Sequence, residues 1–206
     1  MNEKFFSLSE EKQQRIINAG FCVFSQNSYK KSPMNEIADC AGISKSLLFH
    51  YFHNKRELYI FLWNKTCEIT MEYLNKYLCY EPADLFEMIE RGMRAKTHTM
   101  RKYPYMTNFA VKAFYEKDPE VNSAIHDSYQ KHFEIKAQDA LARINPDDFI
   151  PGLDINMMYR EMYLASEGYL WEIFQSGSEL DIEKLEKDFE DMLKFWKKIY
   201  LKKGSK

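Results

Sequence analysis

Apolar residues recur along this chain at steps of three and four, the spacing of one helix face, and never in the sustained alternation that a strand requires. Ile16, Ile17, Gly20, Phe21 and Phe24 form the first such stripe, on a helix that opens near Ser9. Ser32 followed by Pro33 predicts a cap and a proline at the first helical position, starting a short helix over residues 34–40. Ala41-Gly42-Ile43 then reads as a turn, and Ser44 caps a second short helix through about Phe52. Asn54 caps a long helix from Lys55 to about Tyr80, with Glu57 completing a capping-box-like pair. Its buried stripe is Leu58, Phe61, Leu62, Cys67, Met71, Leu74 and Leu78.

Pro82 predicts the start of a fifth helix, and Pro104 separates it from a sixth. Asp118-Pro119 starts a seventh that runs to about Ile144, and NPDDFIPGLD at 145–154 is an irregular loop. Two long helices close the chain: 154–176, ended by Gly177, and Asp181 to about Lys203. In the last of these Ile182, Leu185, Phe189, Met192, Trp196 and Ile199 make a narrow packing seam. The expectation is an all-α fold of about nine helices, divided into a head at 1–54 and a larger helical domain at 55–206.

Composition agrees with that pattern. Of the 206 residues 45% are apolar and 16% aromatic, so the chain is globular, and only 7 Gly and 6 Pro interrupt it. No window approaches the roughly 18 consecutive apolar residues of a membrane span, and the N-terminus lacks the apolar core of a signal peptide. A soluble cytoplasmic protein with no membrane partner is expected. The four cysteines, Cys22, Cys40, Cys67 and Cys79, include no CxxC pair and read as reduced and buried.

The net charge of −2 argues nothing for nucleic acid, but its distribution does. Residues 1–57 carry 8 Lys and Arg against 6 Asp and Glu, whereas the remainder carries 21 against 25. The basic excess surrounds the stretch CAGISKSLLFHYFHNKREL at 40–58. There Ala38 is small enough for two helices to cross closely, Gly42 supplies a left-handed turn, and Leu48 closes a small core with Ile37 and Ile43. That is helix-turn-helix spacing, although a plain αα-hairpin shares it.

Lys45, Ser46 and Leu47 fall in the first turn of the second helix, where a recognition helix meets base edges. Phe49 and Tyr51 cannot both face the same small core, so at least one is left to pack on sugar–phosphate. Lys55 and Arg56 open the next helix at its positive end, an unfavourable place for cations unless a phosphate joins them there.

Residues 13–62 resemble the DNA-binding domain of TetR-family transcriptional regulators. Ala19 and Phe24 match the end of the family's first helix, Ile37-Ala38 its second, and Ala41-Gly42-Ile43-Ser44 its turn. Leu48-Phe49-His50-Tyr51-Phe52, Lys55 and Glu57-Leu58 match its most specific signature. Ser28 stands where the family has a glycine, Ser32-Pro33 where it has paired threonines, and Phe49 where it has a tyrosine. The resemblance implies double-stranded DNA as partner, with Ser32, Lys45, Ser46, Leu47, Phe49, Tyr51 and Lys55 facing it. It also implies a homodimer, a small-molecule effector and repression as the usual mode.

Large apolar residues suit the other two roles. Trp63, Cys67, Met71, Tyr103, Phe109, Phe114, Phe133, Tyr159 and Met162 are candidates to line an effector pocket. His98, Asn108, Lys112, His126 and His132 are candidate polar anchors. Gly168, Tyr169, Trp171, Phe189 and Trp196 are candidates for a dimer interface. No GxSxG, HExxH or glycine-rich phosphate loop suggests an enzyme, and no cofactor is implied. His50 and His53 lie three apart but lack a third metal ligand nearby. A ligand-independent DNA organiser and a helical protein–protein adaptor are the alternatives.

Overall fold

The computed structural model describes residues 3–176 and 181–203. Among them the elements are α1 (Glu3–Phe6), α2 (Glu10–Gln26), α3 (Met34–Ala41), α4 (Lys45–Tyr51), α5 (Lys55–Lys76) and α6 (Leu85–Lys102). They continue with α7 (Met106–Phe114), α8 (Asn122–Tyr129), α9 (Ile135–Leu141), α10 (Ile155–Ser176) and α11 (Ile182–Tyr200). The fold is all-α. Two compact units divide it, one of Met1–Met71 with Lys102–His132 and one of Glu72–Arg101 with Phe133–Lys206.

The first unit is built around α2. Ile16, Ile17, Phe21 and Phe24 are buried as their spacing requires, and Phe24 meets Tyr59 of α5 edge-on at 4.8 Å. Gly20 allows a close approach: a Cβ there would stand 2.6 Å from Leu62 Cδ1. Phe109 of α7 completes this core, with its ring 5.4 Å from Phe21 and 5.1 Å from Tyr59.

The short helix α1 has no counterpart in the sequence pattern. Its Phe5 is fully buried, with ring centroids 6.0 Å from Tyr51, 5.0 Å from Phe52 and 5.3 Å from Phe61. One aromatic thus ties the end of α4 to α5, and losing such a ring costs about 3–5 kcal/mol.

Several helix ends differ from expectation. The fifth helix starts at Leu85, three residues beyond Pro82, because the Asp84 carboxylate accepts the Glu87 N–H at 3.0 Å and caps it there. Helix α5 stops at Lys76 and not near Tyr80. Leu78 adopts φ 50, its N–H reaches Asn75 O at 2.9 Å and the Cys79 N–H reaches Leu74 O at 2.9 Å, a Schellman closure. Leu78 is accordingly 55% exposed and leaves the expected stripe. The single helix expected over 119–144 is α8, a π-helical turn at Gln130–Glu134, and α9.

In the second unit Met100, Leu170, Leu185 and Phe189 form a core cluster, flanked by Met93, Tyr169, Ile173 and Ile182. Asp154 and Asp181 cap α10 and α11 by accepting from the Met157 and Lys184 N–H groups at 3.0 Å each. The irregular loop contains a 3-10 turn at Pro146–Asp148. It is pinned to the end of α11 by Ile150 N–H to Tyr200 O at 2.9 Å and Lys202 N–H to Asp148 O at 3.0 Å. Gly177, expected to end the penultimate helix, lies outside the described residues.

Candidate nucleic-acid interface

Helix α3 ends on Gly42, whose φ of 65 and ψ of 36 a side chain would resist. The Gly42 N–H bonds Asp39 O and the Ile43 N–H bonds Ala38 O, both at 3.0 Å. Ser44 then caps α4 by accepting the Leu47 N–H at 3.2 Å, with the Ser46 hydroxyl 3.0 Å away. Ile37, Ala38 and Leu48 are fully buried, and they fix the two helices on one another. Lys45, Ser46 and Leu47 stand outward on the first turn of α4, Leu47 at 36% exposure. This is a helix-turn-helix with its second helix free at the N-terminal end. Lys45 Nζ lies 6.0 Å from the centroid of the half-buried Phe49 ring, so Phe49 supports the lysine from below.

Other candidates turn inward. Tyr51, not Phe49, takes the core position, its ring set against Phe5 with 7% exposure. Ser32 is 1% exposed and its hydroxyl donates to Ser28 O at 2.9 Å. The hydrogen that was to reach a phosphate is spent inside the head, because Pro33 and not Ser32 occupies the cap position of α3. Ser32 is therefore no exposed phosphate donor.

The two cations that open α5 are also engaged. Lys55 Nζ donates to Lys30 O at 2.9 Å and Ser32 O at 3.4 Å, and sits 5.0 Å from the Tyr29 ring centroid. An ammonium has three donors, so one remains. Arg56 Nε donates to Glu120 O at 2.6 Å. The unfavourable cation positions at this helix end are thus compensated largely by the protein's own carbonyls. The cap itself is as expected: Asn54 Oδ1 accepts the Glu57 N–H at 2.8 Å, and the Glu57 carboxylate accepts from the His53 N–H at 3.2 Å. His53 Nδ1 lies 2.8 Å from the same oxygen.

Nothing in the sequence pattern pointed to the acidic loop between α7 and α8, which grips this head. Tyr29 N–H donates to Glu116 Oε2 at 2.9 Å and Tyr29 O–H to Glu120 Oε2 at 2.7 Å. Lys30 pairs with Asp118 at 3.2 Å. Burial, then the Glu120 bond, holds the Tyr29 hydroxyl well above the usual phenol range. The Asp118 carboxyl is held below its ordinary value, first by the Glu120 N–H and then by Lys30. Lys31, exposed on the same turn as Lys30, is a further cation of this face that the pattern did not single out.

The effector candidates divide between the units. Trp63, Cys67, Met71, Tyr103, Phe109 and Phe114 belong to the first, while Phe133, Tyr159 and Met162 belong to the second. Trp63, Cys67, Met71, Phe109 and Met162 are buried. Two open surface clefts, of about 510 and 310 Å³, are lined by none of the nine. Cys67 and Cys79 are buried thiols with pKa pushed up to about 12 and about 11 by desolvation, whereas Cys40 is exposed. The expectation of a buried role fails for Cys40.

The dimer candidates also separate. Phe189 and Trp196 are 4% and 3% exposed and belong to their own unit's interior, and Tyr169 turns its hydroxyl to Asp188 of α11. Phe189 and Trp196 are thus turned away from solvent, and Tyr169 is half-buried. A Cβ at Gly168 would meet no described atom within 4 Å beyond its own helix turn, and Gly168 shares one exposed face of α10 with Met157, Leu164 and Trp171. Phe195 and Ile199 continue an exposed apolar face on α11, at 60% and 41% exposure.

An all-α chain with a helix-turn-helix open at the first turn of its second helix has the architecture found in helical DNA-binding proteins. Comparison with known proteins makes this specific. Residues 16–60 match the family model of bacterial regulatory proteins of the tetR family. The HTH-type transcriptional regulator RutR of Escherichia coli is 30% identical over 93 residues, which is 45% of this chain and 43% of RutR. A TetR family transcriptional regulator from Chloroflexus aurantiacus has the same fold, with TM-score 0.65, 20% identity and 98% of each chain covered. So does the transcriptional regulator FadR from Bacillus subtilis, solved in complex with stearoyl-CoA: TM-score 0.65, 18% identity, 87% of this chain and 96% of that one covered. The likeness to tetR-family regulators thus rests on residues 16–60 in sequence and on the fold over most of the chain. The matched stretch spans less than half the length of RutR.

Proposed function

We propose that the protein is a ligand-responsive repressor that binds a palindromic operator as a homodimer and is released by a small, largely apolar effector. The observation that carries the DNA reading is the outward first turn of α4, Lys45, Ser46 and Leu47, standing on the buried anchor Leu48. Lysine donates to guanine acceptors, serine to several base edges, and leucine packs on a thymine methyl. Phe49 and the remaining donor of Lys55 serve the sugar–phosphate flanks. Lys31 adds a cation to that flank. On this reading residues 1–54 are the DNA-reading head and the rest of the chain carries effector binding and dimerisation.

Dimerisation through the exposed apolar faces of α10 and α11 is supported by Met157, Leu164, Trp171, Phe195 and Ile199. Two heads about 34–36 Å apart would meet successive major-groove faces of one palindrome. An effector that favours a different head spacing releases the operator by its differential affinity for that state. The buried apolar groups Trp63, Cys67, Met71 and Phe109 on α5 and α7 are the proposed surroundings of that effector, with the half-buried Phe114 at the end of α7.

Selection of fragments from the source genome by the purified protein tests the reading. The expected result is an inverted repeat whose half-sites lie one helical turn apart, bound with a steep loss of affinity as salt rises. Salt-independent or undetectable duplex binding in dilute buffer would overturn it in favour of a helical adaptor.

A further inference from the structure

We propose that Lys112, Trp63 and Asn108 form the polar anchor of the effector, and that the effector is an organic monocarboxylate with an apolar body. This rests on the regulator reading above and names the ligand class for it.

Three polar groups of the first unit have no partner among the described residues. Trp63 is 4% exposed and its indole Nε1–H is buried with no acceptor among the described residues. Asn108 Oδ1 is buried with no donor. Lys112 is half-buried and has no anion among the described residues. Buried polar atoms are paired in the great majority of cases, so two orphans and an unpaired ammonium on two helices that meet call for a ligand.

All three stand on α5 and α7. The Tyr59 and Phe109 rings meet at 5.1 Å and join α5 to α7. Trp63 lies one helical turn beyond Tyr59, Asn108 adjoins Phe109, and Lys112 is three residues further on. None of the three lines either surface cleft.

The chemistry selects the ligand. An indole N–H and an ammonium are two donors for two oxygens, and the Asn108 amide presents either its oxygen or, turned over, its NH₂ group. One cation balances one negative charge, which suits a carboxylate better than a phosphate dianion. Native acids do not compete for Lys112. Glu116 is already occupied by the N–H groups of Tyr29, Lys117 and Asp118, and the Cys67 thiol, with pKa near 12, is uncharged. Desolvation also depresses the Lys112 pKa, as expected for an ammonium awaiting a counter-ion. Phe109 and Cys67 supply an apolar wall for the body of the ligand.

The same geometry links binding to the head. Trp63 Nε1 and Asn108 Oδ1 are sealed from solvent, so a ligand reaches them only if α7 shifts against α5. Helix α7 runs directly into the loop whose Glu116, Asp118 and Glu120 hold Tyr29, Lys30 and Arg56. Moving the helix pulls on that grip.

The test titrates the full chain with octanoate, decanoate, dodecanoate and phenylbutyrate, each beside its matched primary alcohol, by calorimetry and thermal shift. At least one carboxylate should bind about tenfold or more tighter than its alcohol. Lys112→Met should bring the pair to equal affinity, while Lys112→Arg, which keeps the charge and serves as the folding control, should retain most of the preference. Trp63→Phe should weaken the carboxylate and leave the alcohol unchanged. Equal binding of acid and alcohol by the parent, binding of neither, or an undiminished preference in Lys112→Met would each overturn the proposal. Operator binding by the ligand-free protein is measured separately. Duplex binding without carboxylate preference removes the anchor and keeps the regulator, and carboxylate preference without duplex binding does the reverse.

Discussion

The Tyr29 hydroxyl donates to Glu120 Oε2 at 2.7 Å, joining the turn before α3 to the loop after α7 across 91 positions of sequence. Tyr29 is 2% exposed, so the bond is made largely out of water. Tyr29→Phe keeps the ring and its edge contact with Tyr59 while removing one hydrogen bond to a charged acceptor. A loss of about 1–2 kcal/mol in denaturant unfolding is expected, with faster amide exchange in residues 28–32. Unchanged stability and exchange would remove the loop from the account of how the head is held.

Asp118, beside it, gives this grip a pH dependence. Its folded pKa lies below the ordinary 3.8, because the Glu120 N–H and Lys30 both favour the carboxylate. A depressed carboxyl stabilises fully above its unfolded value and loses that contribution as pH falls through its folded value. Asp118→Asn should therefore be less stable than the parent at neutral pH, and the gap should narrow below about pH 4. Melting temperatures of both proteins across that range check the sign.

Lys45 and Lys55 should separate on DNA. Lys45 is exposed, with its Nζ 6.0 Å from the Phe49 ring centroid, so Lys45→Ala should change stability by no more than about 0.5 kcal/mol while altering base preference. Lys55→Met should weaken binding to every duplex and flatten the salt dependence by about one ion. It should also destabilise the 28–32 turn, because its ammonium bonds Lys30 O and Ser32 O. Two variants that bind a selected operator like the parent would refute the contact assignment.

For the dimer, Leu164→Glu combined with Phe195→Glu places charges at 57% and 60% exposed positions of α10 and α11. Helical content should be retained while sedimentation shifts to the monomer. A dimer that survives both charges would move the interface elsewhere.

Leu78 offers a stability test free of function. It holds a left-handed conformation at φ 50 with its side chain 55% in solvent, so little burial offsets the backbone cost. Leu78→Gly should stabilise the protein by about 1 kcal/mol. Chemical denaturation measures it directly.

Leu78 and Gly42 also mark the limit of what residue patterns convey. Both close a helix with the same pair of hydrogen bonds, but only glycine announces the left-handed turn, so the end of α3 was legible and the end of α5 was not. The helical periodicity, the Ala38–Gly42–Leu48 spacing and the outward Lys45-Ser46-Leu47 turn follow from local physics, since each depends on residues within two turns of one another. Tertiary structure decided the rest. Tyr51 rather than Phe49 went inward because Phe5, forty-six positions earlier, was there to receive it. Arg56 and most of Lys55 were committed to carbonyls brought from residues 30, 32 and 120. The seam expected along α11 split, with Phe189 and Trp196 inward and Ile199 outward. A repeat of three and four fixes which residues share a helix face, whereas which neighbour covers that face depends on contacts distant in sequence.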